Sequence, residues 1–177
     1  MNKPTKLENL LYILVIALFF FYPCSTKAKR LDIFTYTEEG CLTANLFFEA
    51  RGEGEAGMRA VADVVINRTK HTAFKGQDTA CKVIFAPKQF SWVRQQPINR
   101  IQKLLNGDLT GFNQKDRATY QQAQIIAKNA LDNVPISKLP KWVVNFHTVK
   151  VAPVWKHSMK YYKTIGQHVF YGFKKKG

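Results

Sequence analysis

A helix that must stop at a pair of glycines and then start again constrains this chain more than any other feature. Thr37 precedes Glu38 and Glu39. A hydroxyl at the N-cap with acids in the first turn satisfies free backbone amides and suits the helix dipole. The spacing of Cys41, Leu42, Leu46 and Phe47 predicts a helix running to about Ala50, where Gly52 and Gly54 interrupt it. A second helix is predicted from about Glu55 to Arg68, with Ala60, Val61, Val64 and Val65 on one apolar face. Their β-branching lowers helix propensity, so burial against a neighbour must hold this helix. These residues are expected in the core and not in a site.

Another helix is predicted from Gln114 to Leu131, with Ala118, Ala123, Ile126, Ala127 and Ala130 along one side and Asn133 and Pro135 ending it. Residues His71 to Asn99 read as irregular, with short strands or hairpins built on Val83-Ile84-Phe85 and on Gln89-Phe90-Ser91-Trp92. The tail from Trp142 onward is rich in aromatics, valine and lysine, and no internal repeat is visible. The pattern predicts a mainly helical α+β single domain with a small β element.

The N-terminus reads as a leader. Lys3 and Lys6 precede an apolar run of thirteen residues, Leu10 to Tyr22, short of the roughly 20 that span a bilayer. A positive segment followed by a short apolar one is the pattern of a signal peptide, with Thr26-Lys27-Ala28 as a cleavage site. An uncleaved membrane anchor is the alternative. Lipidation at Cys24 is disfavoured by the bulk of Phe21-Tyr22-Pro23. The expected organisation is a leader over 1–28, a linker over 29–36 and a catalytic domain over 37–177. The chain is expected to be exported to the periplasm, the cell wall or the medium. In that oxidising setting Cys41 and Cys81 read as a disulfide. Closing a loop of about 40 residues, it contributes roughly 3–4 kcal/mol in the chain-entropy model. Two buried free thiols are the alternative. Neither cysteine belongs to a metal-binding pattern, so no metal and no cofactor are expected.

Charge narrows the partners. The formal net charge is +15, from 27 basic and 12 acidic residues, a field that draws in polyanions. From Asp132 to Gly177 the only acid is Asp132, against nine lysines and no arginine. Such a face suits an anionic wall or membrane surface. Nucleic acid is the usual reading of such charge with aromatics between, but the leader argues against it. A monomer is expected.

The residues best suited to chemistry are Phe47-Phe48-Glu49-Ala50-Arg51-Gly52-Glu53. A carboxyl at the end of an apolar helix, beside two phenylalanines, has its charged form disfavoured and can donate a proton near neutral pH. The glycines let the chain turn away and leave the carboxyl facing a cleft. On these residues alone, Glu49 could equally be a solvated helix-end residue paired with Arg51.

The stretch Asn45 to Arg68, NLFFEARGEGEAGMRAVADVVINR, resembles the signature of the cell wall hydrolase family typified by the spore cortex-lytic enzyme. Further pieces follow in the family's order: Cys81-Lys82-Val83-Ile84 with Gln89-Phe90-Ser91-Trp92, then Phe146-His147 with Trp155, then Ile165-Gly166-Gln167-His168-Val169-Phe170-Tyr171. Cys41 and Cys81 match cysteines of many exported members. Lys88 stands where many relatives carry a cysteine, which suggests one disulfide fewer.

The resemblance implies a lysozyme-like domain acting on the glycan strands of peptidoglycan. It further implies a lytic transglycosylase whose catalytic glutamate is Glu49. Such an enzyme cleaves between N-acetylmuramic acid and N-acetylglucosamine. A hydrolase with two carboxylates would need a partner such as Glu53 or Glu55 at a defined separation, whereas a structural part, for example capping the second helix, is the expected role for Glu53. Gln89, Phe90, Ser91, Trp92, Phe146 and His147 are the expected substrate-binding residues, with Trp92 stacking on a sugar. Glu53, His168 and Tyr171 are secondary candidates. Hydrolases of the muramidase or glucosaminidase type, an N-acetylmuramoyl-L-alanine amidase and a non-catalytic wall-binding protein stay open as alternatives. No His-Glu-x-x-His pattern supports a zinc amidase.

Overall fold

The structure is a computed structural model that describes residues 31–134 and 139–173. The leader, its cleavage site, Cys24 and the Lys174 to Lys176 run lie outside the described residues. Among those described, six α-helices precede a three-stranded sheet, and none of the helices is long and apolar enough to cross a membrane.

Helix α1, Glu38–Ala50, begins as its sequence predicts, with the Thr37 hydroxyl accepting a hydrogen bond from the Gly40 amide at 3.0 Å. It buries Cys41, Leu42, Ala44, Leu46 and Phe47 together with Thr43, Asn45 and Ala50. A helix buried on nearly all sides lies at the centre of its domain. The chain turns through Gly54, whose φ of +65° suits a residue without a side chain, and continues as α2, Gly54–Lys70. The apolar face of α2, including Ala60, Val61, Val64 and Val65, is fully buried. Helix α3 spans Ala80–Phe85, and the predicted Cys41–Cys81 disulfide ties it to α1.

Two expectations need correction here. The segment read as strands or hairpins is helical: α3 is capped by Thr79, whose hydroxyl accepts from the Lys82 amide, and Trp92–Gln95 forms a helical turn, α4. A short apolar run has no periodicity that separates strand from buried helix. Helix α5, Ile98–Leu105, went unassigned, although Ile101, Leu104 and Leu105 bury one side of it.

Helix α6, Gln114–Leu131, has the predicted bounds and an Asn113 cap that accepts from the Asp116 amide at 2.8 Å. It packs on α1 and α2. Its buried side comprises Tyr120, Ala123, Ile126 and Ala127, while Ala118 of the predicted stripe is exposed. The Tyr120 hydroxyl donates to the Leu104 carbonyl at 2.7 Å, adding to the Gly107 amide that the same carbonyl accepts at 3.2 Å at the end of α5.

The β element is in the tail. Strands β1, Val143–Thr148, β2, Met159–Ile165, and β3, His168–Phe173, form an antiparallel sheet with β3 in the middle. Phe146 and Phe170 are register partners whose rings lie 5.7 Å apart. The first packs against the core and the second is fully buried within it. The opposite face carries His147, Tyr161 and Tyr171, which is the side away from the helices.

Candidate active site

Glu49 stands in the last turn of α1 and opens on a cleft between the helices and the sheet. Phe48 and Arg51 flank it on the chain. Ser91, Trp92, Gln95, Gln96 and Arg100 come from the α4–α5 region, and Thr148 and His168 come from the sheet. Among the described residues, Glu49 is the one carboxylate lining this cleft. Burial pushes its pKa up to about 7 from the usual 4.5, with the charge of Arg68 pulling the other way. The carboxyl is therefore partly protonated near neutral pH, the condition a general acid requires. Arg51 does not follow the solvated-pair alternative, because its guanidinium lies over the Phe47 ring at 5.7 Å.

Arg68 opposes the effect of burial on Glu49. It is 5% exposed in the last turn of α2. Its guanidinium sits near the Phe74 and Phe90 rings, at 5.3 and 5.4 Å. Nε donates to the Val144 carbonyl at 2.6 Å and Nη2 to the Asn145 side chain at 3.0 Å. Nη1 has no hydrogen-bond partner. Burial lowers the Arg68 pKa to about 10, which leaves it charged at neutral pH. A buried cation coupled to Glu49 limits how far burial can raise the acid.

The wall beside Glu49 is aromatic. Phe48 stacks on Trp92 with centroids 4.6 Å apart and planes 21° from parallel. The Trp92 indole donates to the Asn45 side chain at 2.9 Å. Trp92 is only 3% exposed, so it builds the wall and offers no open ring face to a sugar, contrary to the stacking role expected of it. Phe90 is equally buried and supports Arg68, and neither Phe90 nor Gln89 lines the cleft. Ser91 does.

The sheet residues divide in the same way. The Phe146 ring packs edge-on to His168 at 4.9 Å within the core. His147 points to the opposite face, where it stacks on Tyr171 and meets its hydroxyl at 3.2 Å. Neither His147 nor Tyr171 lines the cleft, whereas Thr148, the neighbour of His147, does. His168 is buried and borders the cleft. Burial lowers its pKa, opposed by Glu53 and reinforced by His147.

Glu53 plays a structural part, by another contact than the capping bond its position suggests. It stands at the N-cap of α2 but makes no side-chain cap bond there. Its carboxylate instead accepts from the Gln167 amide in the β2–β3 turn and lies 4.0 Å from His168 Nδ1. Gly166, at φ +57°, brings that turn so close that any Cβ there would collide with the Glu53 carboxylate. The Gln167 amide across the fold holds a side chain that stands at the N-cap of its own helix. Glu53 thereby ties the α1–α2 turn to the sheet strand that carries His168.

Gln95, Gln96, Arg100 and Thr148 carry no sequence signal of a site, and Arg51 reads in the sequence only as a possible partner of Glu49. Arg100 contacts Gln96 at 3.2 Å and lies 5.8 Å from the Phe48 ring centroid. Its place on the polar side of a short helix carries no local signal of a site. Among the described residues, no group of three His, Cys, Asp or Glu side chains is arranged to hold a metal ion.

The sequence profile of a family described as Cell Wall Hydrolase matches residues 52–171. The match begins after Glu49, so the geometry argument for that residue is independent of it. Among solved structures, the chain is similar to the catalytic domain of the germination-specific lytic transglycosylase SleB from Bacillus anthracis, at 20% identity and a TM-score of 0.54, covering 81% of this chain and 98% of that domain. It is also similar to the catalytic domain of the SleB protein from Bacillus cereus, at 24% identity and a TM-score of 0.48, covering 77% and 91%. The first of these likenesses establishes a shared fold. No curated protein matches the chain.

Proposed function

The chain belongs to the cell wall hydrolase family, and from that premise we propose that it cleaves the glycan strand of peptidoglycan as a lytic transglycosylase, with Glu49 as its catalytic group. One observation carries this reading: among the described residues the cleft is lined by a single carboxylate, and burial holds it partly protonated near pH 7. A hydrolase working through two carboxylates needs both beside the scissile bond, and the Glu53 carboxylate is engaged by the β2–β3 turn. The name of the Bacillus anthracis neighbour agrees with this choice.

In the proposed reaction Glu49 donates its proton to the glycosidic oxygen as the bond from that oxygen to the muramoyl anomeric carbon breaks. The 6-hydroxyl oxygen of the same sugar forms the new bond to the anomeric carbon and returns its proton to the Glu49 carboxylate. The products are a 1,6-anhydro end and a free hydroxyl on the departing sugar, and the enzyme is restored. Ser91, Gln95, Gln96 and Thr148 are placed to hydrogen-bond acetamido and hydroxyl groups. Arg51 and Arg100 suit the carboxylates of the stem peptides attached to muramoyl residues. Glu53 and Arg68 act as positioning residues. The domain spans residues 37–177, follows a linker over 29–36, and works outside the cytoplasm behind the leader of residues 1–28.

The test is a digest of purified peptidoglycan by the chain and by its Glu49→Gln variant, with sugar ends identified by mass spectrometry. Anhydro-muramic ends are expected from the parent alone, with the variant's rate lower by at least about a thousandfold. Reducing muramic ends would replace the transglycosylase by a hydrolase. Reducing glucosamine ends or freed stem peptides would point to a glucosaminidase or an amidase. No new ends from a folded protein would leave a non-catalytic wall binder.

A further inference from the structure

Between β1 and β2 the chain reads Val149-Lys150-Val151-Ala152-Pro153-Val154-Trp155-Lys156. Five consecutive apolar residues lie between two lysines. Val151 is 53% exposed, Val154 88% and Trp155 37%. Such exposure is built into the fold. The Val149 amide donates to the Gln167 carbonyl at 2.8 Å, Val151 to Thr148 at 3.1 Å and Lys156 to Pro153 at 3.1 Å. Trp155 packs edge-on against His147 at 5.6 Å and against Tyr171 at 5.7 Å. The aromatic face of the sheet is thus a base that holds an apolar tip out in solvent.

An exposed apolar cluster of this kind marks a contact surface, and its chemistry selects the partner. Aliphatic tips have no donor or acceptor for a hydroxyl-covered sugar. Within a bilayer interface, by contrast, valines reach acyl chains, tryptophan sits at headgroup depth and lysines meet anionic headgroups. On the loop and on the strand that follows it the exposed charge is positive: Lys150, Lys160 and Lys163 are exposed, and no acid follows Asp132 in the chain, while the Glu53 carboxylate at the base of the loop is held by the Gln167 amide. We propose that the β1–β2 loop, with Val151, Val154 and Trp155 as its tip and Lys150 and Lys156 as its flanks, docks on an anionic membrane surface. The loop leaves the sheet next to Thr148, which lines the cleft, so docking sets the cleft at the bilayer's edge, where the innermost glycan lies. This surface is independent of the proposed bond cleavage.

Residues Leu31 to Gly177 form a compact unit of their own, with the core and disulfide inside it. A chain beginning at Leu31 therefore removes the apolar 10–22 run, which would itself bind lipid. This chain and the full chain are sedimented with vesicles of phosphatidylglycerol and phosphatidylcholine in equal parts, and with phosphatidylcholine alone. The shorter chain is expected to partition onto the anionic vesicles only. Val154→Asp with Trp155→Ala lowers that partition at least about tenfold, and Lys150→Glu with Lys156→Glu abolishes the dependence on phosphatidylglycerol. Ile125→Asp, on the exposed side of α6, leaves it unchanged, and so does Glu49→Gln, which separates this proposal from the enzymatic one. Equal partition of the tip variant and its parent would overturn the proposal, as would absence of the shorter parent chain from anionic vesicles. A tip variant that loses adsorption only to lipid-free purified walls would overturn it in favour of a wall polymer.

Discussion

The helical half of the molecule and the C-terminal sheet treat their side chains in opposite ways. Helix α1 is buried on nearly every side, and α2 buries even an arginine. The sheet packs Phe146, His168 and Phe170 inward and leaves Tyr161 and the Trp155 tip in solvent. Charge follows the same division. On the helical side Glu49 and Arg68 are displaced from their ordinary pKa values, because apolar packing removes the water that would stabilise charge. On the outer side, lysines remain in water, where a positive field reaches an anionic surface. The comparison teaches that one small domain can keep its chemistry and its adhesion apart by using the two faces of a sheet, with His147 and Thr148, adjacent in sequence, on either side of the division.

The comparison breaks if the helical half tolerates loss of its buried charge. Arg68→Met should cost roughly 3–5 kcal/mol, because it leaves the Val144 carbonyl and Asn145 without their donor and removes a buried cation. It should also raise the Glu49 pKa further, since Arg68 now lowers it. Urea unfolding and a pH–rate profile read both effects. A variant as stable as its parent, with an unmoved alkaline limb, would mean that Arg68 governs nothing. Next in size, Cys41→Ser with Cys81→Ser should cost roughly 3–4 kcal/mol, read as a lower thermal midpoint.

Glu49→Gln sharpens the comparison through pH. The folded carboxyl titrates at about 7 and the unfolded one near 4.5, so the folded state holds the extra proton between those values. Stability contributed by the protonated form is complete below about 4.5 and is lost as pH rises toward 7. The glutamine variant should therefore match its parent near about pH 4 and exceed it by roughly 2–3 kcal/mol near about pH 8.5, less whatever screening cleft water provides. A pH-independent difference would contradict the displaced pKa. The smallest effect is expected on the outer face: Tyr161→Ala should change stability by under about 0.5 kcal/mol, and a larger loss would show that this face is part of the core after all.

Much of this was legible from residue order. Thr37, the glycine break and the valine spacing are local signals, and they located α1 and α2 to within a few residues. Helix α6 was bounded by the same means. Segment 80–95 was misread because short apolar runs are ambiguous until packing chooses between strand and helix. Trp92 was expected at a sugar because the resemblance places its segment in a cleft wall, yet its N–H goes to Asn45, 47 positions away.

By itself the sequence determined where the principal helices start and stop, that a glutamate ends an apolar helix, and that two cysteines remain to be paired. Hydrogen-bond caps and hydrophobic periodicity act over a few residues, so they are written locally. Only the tertiary structure decided which groups meet Glu49. It coupled the charge of Arg68 to Glu49 and set Arg68 on a strand 76 positions later in the chain, and it sent Glu53 to an amide 114 positions away. Electrostatic coupling depends on distance in space and on the exclusion of water, and neither quantity exists until the chain has folded.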